Sequence, residues 1–194
     1  MKKTDIERDL SLHQEILKRT IKQSAELIEE ISALMVKCFR QGNKILLCGN
    51  GGSAADAQHV AGEFVNRFRY DHAALPAIAL STDTSILTAI GNDSSFEHVF
   101  SRQVEALGKP GDILVGISTS GNSPDVLRAL EAGRRLGLTT IGFTGEKGSA
   151  IMEDKCDHCL AAASSDTPRI QECHIFMWHV ICQDVEATIF PKQA

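Results

Sequence analysis

The densest run of groups suited to an anion is Ser118-Thr119-Ser120-Gly121-Asn122-Ser123, which places four hydroxyl side chains within six positions. Hydroxyls combined with free backbone N–H groups wrap a phosphate well and do not require a lysine. An ordinary capped turn is the plainer alternative, since Ser and Thr are common N-caps. The pattern G-x-x-x-x-G-K-[ST] is missing, which argues against a nucleoside triphosphate. A second loop, Cys48-Gly49-Asn50-Gly51-Gly52-Ser53, brings flexible backbone to the start of another helix. Glycines let N–H groups approach a ligand, and a helix N-terminus favours an anion. Its half-match to a dinucleotide fingerprint lacks the acidic residue about 20 positions on that a ribose contact needs.

Proton transfer or metal binding would fall to other residues. His59 and Glu63 stand four apart on a predicted helix and so share a face, as in helical metal-binding pairs. A solvated helix pair has the same spacing. The last helix adds Arg169-Ile170-Gln171-Glu172-Cys173-His174 and then Trp178-His179. His174, three residues after Gln171, is placed to support a site there, while His13, His72, His98 and His158 read as surface or structural histidines. Cys156-Asp157-His158-Cys159 is C-x-x-C, but no second Cys/His pair follows to complete a zinc knuckle. The pair also leads into Leu160-Ala161-Ala162-Ala163, a strand-like run rather than the helix of a redox motif. The six cysteines therefore read as reduced thiols.

These residues need a scaffold, and the pattern supplies one. Between Ile6 and Gln41 there is no Pro or Gly, and apolar residues recur at helical spacing, which predicts one long helix or two joined ones. Its broad apolar surface suits packing both on the body and on another subunit. Short apolar runs then alternate with helical segments. Strands are predicted at Lys44–Cys48, Leu75–Leu80, Asp112–Ser118, Thr139–Thr144 and His158–Ala162. Helices are predicted over Ser53–Phe68, Asp83–Ile90, Phe96–Leu107, Pro124–Leu136 and from Thr167 almost to Pro191. This alternation implies an α/β fold, a doubly wound parallel sheet of five strands with helices on both faces. A single domain over 1–194 follows, with 1–42 as an N-terminal helical segment and 43–194 as the core. In such a sheet the ligand lies at the carboxyl ends of the strands, where both loops fall.

The 194 residues are 43% hydrophobic and 23% charged, an ordinary globular composition, and the formal net charge is -5 with no dense basic cluster. Nucleic-acid binding by phosphate neutralisation is not expected. The first residues carry no apolar leader, and no run approaches the roughly 18 apolar residues of a membrane span. A soluble cytoplasmic protein without a membrane partner is the expectation.

Taken together, five stretches resemble the phosphoheptose isomerases, a branch of the sugar isomerase (SIS) domain family. They are Gly49–His59, Glu63–Phe68, Leu87–Asp93, Gly116–Ser123 and Thr167–His174. The resemblance runs in order along nearly the whole chain. It implies conversion of sedoheptulose 7-phosphate to D-glycero-D-manno-heptose 7-phosphate, a precursor for the heptose of lipopolysaccharide and other bacterial surface glycans. Residue by residue, it implies that Ser118, Thr119, Ser120 and Ser123 hold the phosphate. Asn50, Gly51, Gly52, Ser53, Asn92 and Asp93 would contact the sugar. His59, Glu63, Gln171 and His179 match zinc ligands, one Zn2+ per subunit, with Glu63, Gln171 and His179 also facing substrate. Glu63 would be the base and His179 its acid/base partner, in a homotetramer with active sites at subunit contacts.

One difficulty is geometric: Gln171 and His179 are eight residues apart, about 12 Å along a straight helix. A single ion takes both only if the helix bends or two subunits share the site; a shared site is expected. Two departures, Ser94-Ser95 in place of an aromatic residue and Ala162-Ala163 in place of Val-Pro, lie beside the site stretches and bear on substrate fit. Two rival readings are a SIS-domain partner of the replication initiator and an isomerase or sensor for another phosphosugar. Glu63 and His179, which such partner proteins lack, weigh against the first, and the His59/Glu63 pair with Arg169–Glu172 against the second.

Overall fold

The computed structural model describes residues 2–192. The N-terminal stretch is one uninterrupted helix, α1 (Lys3–Arg40), about 57 Å long at 1.5 Å per residue. Its buried positions Ile16, Thr20, Ser24, Ile28, Ile31 and Met35 step by four and three, a single stripe that packs on the last helix, α7 (Thr167–Ile189). The stripe continues into the first turns, but there Ile6 and Leu10 remain 54% and 55% exposed. The described residues leave that end about half uncovered.

Between these helices run β1 (Ile45–Gly49), α2 (Gly52–Val65), β2 (Ala77–Ala79), α3 (Thr84–Asp93), α4 (Ser101–Leu107), β3 (Ile113–Ile117), α5 (Pro124–Arg135), β4 (Thr139–Gly145), α6 (Ser149–Glu153) and β5 (His158–Ala162). All five strands are parallel, in the order β2-β1-β3-β4-β5. Side-chain alternation divides the core. Ile45, Leu47, Ile113, Val115, Ile141 and Phe143 pack beneath α1, α2 and α7. Leu46, Cys48 and Leu114 meet Val104 of α4, Leu130 of α5 and Met152 of α6 on the opposite face. Burial on both faces is what makes the strands read as continuous apolar runs. The chain steps outward from β1 to β2 and then crosses back to β3, so the carboxyl ends of β1 and β3 form the crevice that such sheets use for ligands.

The expected elements are present, with local differences. Strand β2 is only three residues long. The helix expected over Phe96–Leu107 divides into a single 3-10 turn, Phe96–His98, and α4. A second 3-10 turn, Glu146–Gly148, and the short α6 follow β4; neither spans enough residues to leave a helical period in the sequence. No helix among the described residues is long and apolar enough to cross a membrane.

Candidate active site

At the end of β3 the hydroxyl loop is tightly built. Ser118 is 3% exposed, and its Oγ lies 2.9 Å from Ser123 Oγ and 3.4 Å from Ser120 Oγ. The Asn122 backbone N–H donates to Ser120 Oγ (3.3 Å). The loop stays tied to the sheet, because Ser118 N–H donates to the Phe143 carbonyl and Gly145 N–H donates to that of Thr119. Gly121 turns the chain with φ +67°, and a Cβ there would overlap the backbone of Gly148. Three hydroxyls thus converge at the N-terminus of α5, whose free N–H groups favour an anion; Thr119 sits beside them. Below, His174 is fully buried and donates its Nε2–H to the Thr144 carbonyl (3.0 Å). Burial pushes its pKa down to about 4, so at neutral pH it is an uncharged strut under the loop.

The loop after β1 meets this one directly. Asn50 Nδ2 donates to Asp125 Oδ2 (2.8 Å), and Asp125 is buried at the start of α5. Asp125 was not foreseen: an acidic residue after Pro124 reads as a helix-start preference, and its burial depends on β1 and β3 being neighbours. Gly51 and Gly52 are exposed at the head of α2, whereas Ser53 is buried in its first turn. The Gln171 side chain lies so close to Gly52 that a Cβ on Gly52 would overlap its amide. Gln171 therefore belongs to the mouth of the β1 loop.

A separate group forms where α2 and α7 run side by side. His59 Nε2 is 3.0 Å from His179 Nε2 and 3.3 Å from Glu63 Oε1. Burial, then the neighbouring His59, lower the pKa of His179, and Glu63 pulls it back up. One turn before His59, Asp56 keeps a buried carboxylate oxygen without a hydrogen-bond partner; burial raises its pKa and His59 opposes this. Two imidazole nitrogens and a carboxylate oxygen are donor types that zinc takes. They are arranged around His59, however, since Glu63 and His179 are not within ion-pair distance of each other, and among the described residues no three such side chains close on one point. Gln171 is eight residues earlier on the unbroken α7 and does not join the group within one chain. The donors suit a metal in kind, and within one chain they stand near one another without closing on a common point.

Asn92 and Asp93 are exposed at the end of α3, where the Asn92 amide donates to Asp93 Oδ1 (2.7 Å); among the described residues neither bonds to another candidate residue. All six cysteines are free thiols. Cys159 lies within β5. His13 pairs with Glu172 (2.7 Å) in a cleft that also holds Ile6, Leu10, Arg169, Phe176 and His179, so the uncovered end of α1 borders the α2–α7 group.

The chain is similar to known proteins over most of its length. The SIS domain family model matches residues 11–145. The phosphoheptose isomerase of Roseiflexus sp. (strain RS-1) is 56% identical over 178 residues, covering 92% of this chain and 90% of that protein. That of Desulfovibrio desulfuricans is 58% identical over 172 residues, covering 89% and 81%. The structure of phosphoheptose isomerase from Neisseria gonorrhoeae superposes with a TM-score of 0.88 at 42% identity, covering 95% of this chain and 98% of that one.

Proposed function

The chain belongs to the SIS domain family, in its phosphoheptose isomerase branch, and is a sugar-phosphate isomerase; from this premise we propose that it interconverts sedoheptulose 7-phosphate and D-glycero-D-manno-heptose 7-phosphate. The observation that carries the reading is the pairing of a prebuilt hydroxyl loop at the β1/β3 crevice with a carboxylate–imidazole group on α2 and α7.

The phosphate rests on Ser118, Thr119, Ser120 and Ser123, with the N–H groups of α5 opposing its charge. Asn50 has one of its two amide N–H donors engaged by Asp125, leaving the other and its carbonyl oxygen for the sugar; Gly51, Gly52, Ser53, Asn92, Asp93 and Gln171 complete the sugar's surroundings. Glu63 removes a proton from C1 of the ketose, alpha to the carbonyl. His179, held neutral by burial and by His59, gives a proton to the carbonyl oxygen, as an uncharged imidazole can. The resulting enediol returns its O1 proton to His179 and takes a proton at C2 from Glu63, giving the aldose and restoring both groups. His59, Glu63 and His179, with Gln171 from another subunit, would hold one Zn2+, Glu63 and His179 each through an atom other than the one that moves the proton. When bound, the ion supplies electrostatic stabilisation to the developing enediolate.

We further propose a homotetramer in the bacterial cytoplasm, its product feeding the ADP-heptose route to lipopolysaccharide. The uncovered apolar end of α1 beside His179 supports assembly across the site. Purified protein incubated with sedoheptulose 7-phosphate and followed by NMR should yield an aldoheptose 7-phosphate, while fructose 6-phosphate should remain unchanged. Turnover of the hexose phosphate alone would overturn the substrate assignment.

A further inference from the structure

Glu186 stands two turns beyond His179 on α7 and is 2% exposed. A carboxylate so deeply buried is tolerated only when its lone pairs are engaged. Its partners are specific. The backbone N–H groups of Phe68 and Arg69 both donate to Oε1 at 2.9 Å, and Arg69 N–H also reaches Oε2 at 3.1 Å. His72 Nε2 lies 3.2 Å from Oε1, with its side chain almost fully covered. His72 also stacks on Phe190 (centroids 4.4 Å apart), and Tyr70 donates its hydroxyl to the Phe190 carbonyl (2.9 Å). The segment 67–72 leaves α2 just past Glu63 and has no helix or strand bonds of its own. The carboxylate supplies what secondary structure would otherwise provide.

What this segment carries is the ring of Phe68, which packs on the imidazole of His179 with centroids 5.6 Å apart; the Arg69 guanidinium covers the same ring at 5.5 Å. Among the described residues, His179 has one further ring neighbour, His59. The buried Cys182 thiol of α7 has its pKa pushed up by burial and then by Glu63 and Glu186. We propose that Glu186 is a positioning residue for the isomerisation: by pinning the segment 67–72 it holds Phe68 against His179 and fixes the imidazole relative to Glu63. This rests on the reading that His179 takes part in proton transfer. It assigns Glu186 no contact with substrate, and since the phosphate loop lies on β3 and α5, substrate affinity should be largely untouched.

The test is a double-mutant cycle on kcat and KM for sedoheptulose 7-phosphate with E186Q, F68L and the double variant, and with H179Q alongside. The glutamine keeps the shape of the side chain but turns an N–H donor toward backbone donors. The expected result is a fall in kcat of about 10- to 100-fold in each single variant, the scale of a small misplacement of a reacting group. KM should move less than about threefold and the double variant should be no slower than the worse single one. Full kcat in F68L, or losses that multiply in the double variant, would overturn the proposal. If E186Q loses its cooperative melt, F68L alone decides by the same criterion of lowered kcat at unchanged KM. Unchanged turnover in H179Q would instead remove the reading on which the proposal rests.

Discussion

The loop after β3 and the group between α2 and α7 differ in how much of each a single chain completes. Ser118, Ser120 and Ser123 lie within six consecutive residues, bond to one another, and rest on the sheet through Thr119 and on His174 through Thr144. His59 and His179 are 120 positions apart, meet across two helices, and are arranged about His59 without closing on a common point. The anchoring end is prebuilt by local chain geometry, whereas the reactive end is brought together by tertiary packing alone. Loss at the first should therefore appear in KM and loss at the second in kcat.

The sharpest way to break this division is Glu63→Gln. Removing the base should lower kcat by about 10²- to 10⁴-fold with KM little changed, measured by steady-state assay. A large rise in KM with kcat preserved would mean that Glu63 binds rather than reacts. Next in size is metal removal: dialysis against a chelator should cut turnover by about 100-fold or more, the worth of several kcal/mol of charge stabilisation, and Zn2+ should restore it. Binding of inorganic phosphate, followed by calorimetry, should survive the same treatment. At the other end, Ser118→Ala deletes a hydrogen bond to a charged group, about 1.5–3 kcal/mol, and should raise KM roughly 10- to 100-fold while kcat falls much less.

Much of this division was already legible in the residues. The Ser/Thr loop and the glycine loop are contiguous, and the apolar runs before them mark buried parallel strands, so their place at the carboxyl ends of strands followed from the α/β alternation. The long α1 followed from the lack of Pro and Gly. Contacts that only folding creates were not legible. Asp125 gains its role because β3 lies beside β1, and Glu186 because α7 runs back along the end of α2. Gln171 matches the ligand pattern, but the straightness of α7 sets it beside Gly52 and away from His179 in the same chain. The spacing argument had already implied as much, since about 12 Å on a helix exceeds the reach of one ion.

The smallest effect on turnover, but a direct probe of the prebuilt end, is the pH dependence of stability. His174 titrates at about 4 when folded against an ordinary value of 6.5. The unfolded chain therefore binds the proton more readily, and the stability that depends on this buried neutral ring is complete above about pH 6.5 and is lost as pH falls toward 4. Between pH 7 and pH 5 the loss should be about 2 kcal/mol from urea midpoints, and H174Q should flatten that slope.

The central claim is that the sugar is isomerised by a proton carried on Glu63 through an enediol. Running the wild-type reaction from sedoheptulose 7-phosphate in D2O and reading C2 of the aldoheptose product by NMR tests it most directly. Glu63 is partly open to solvent, so deuterium should appear at C2, at a rate that falls with turnover in E63Q. Product that carries only protium at C2 would contradict the account and point to direct hydride transfer between C1 and C2.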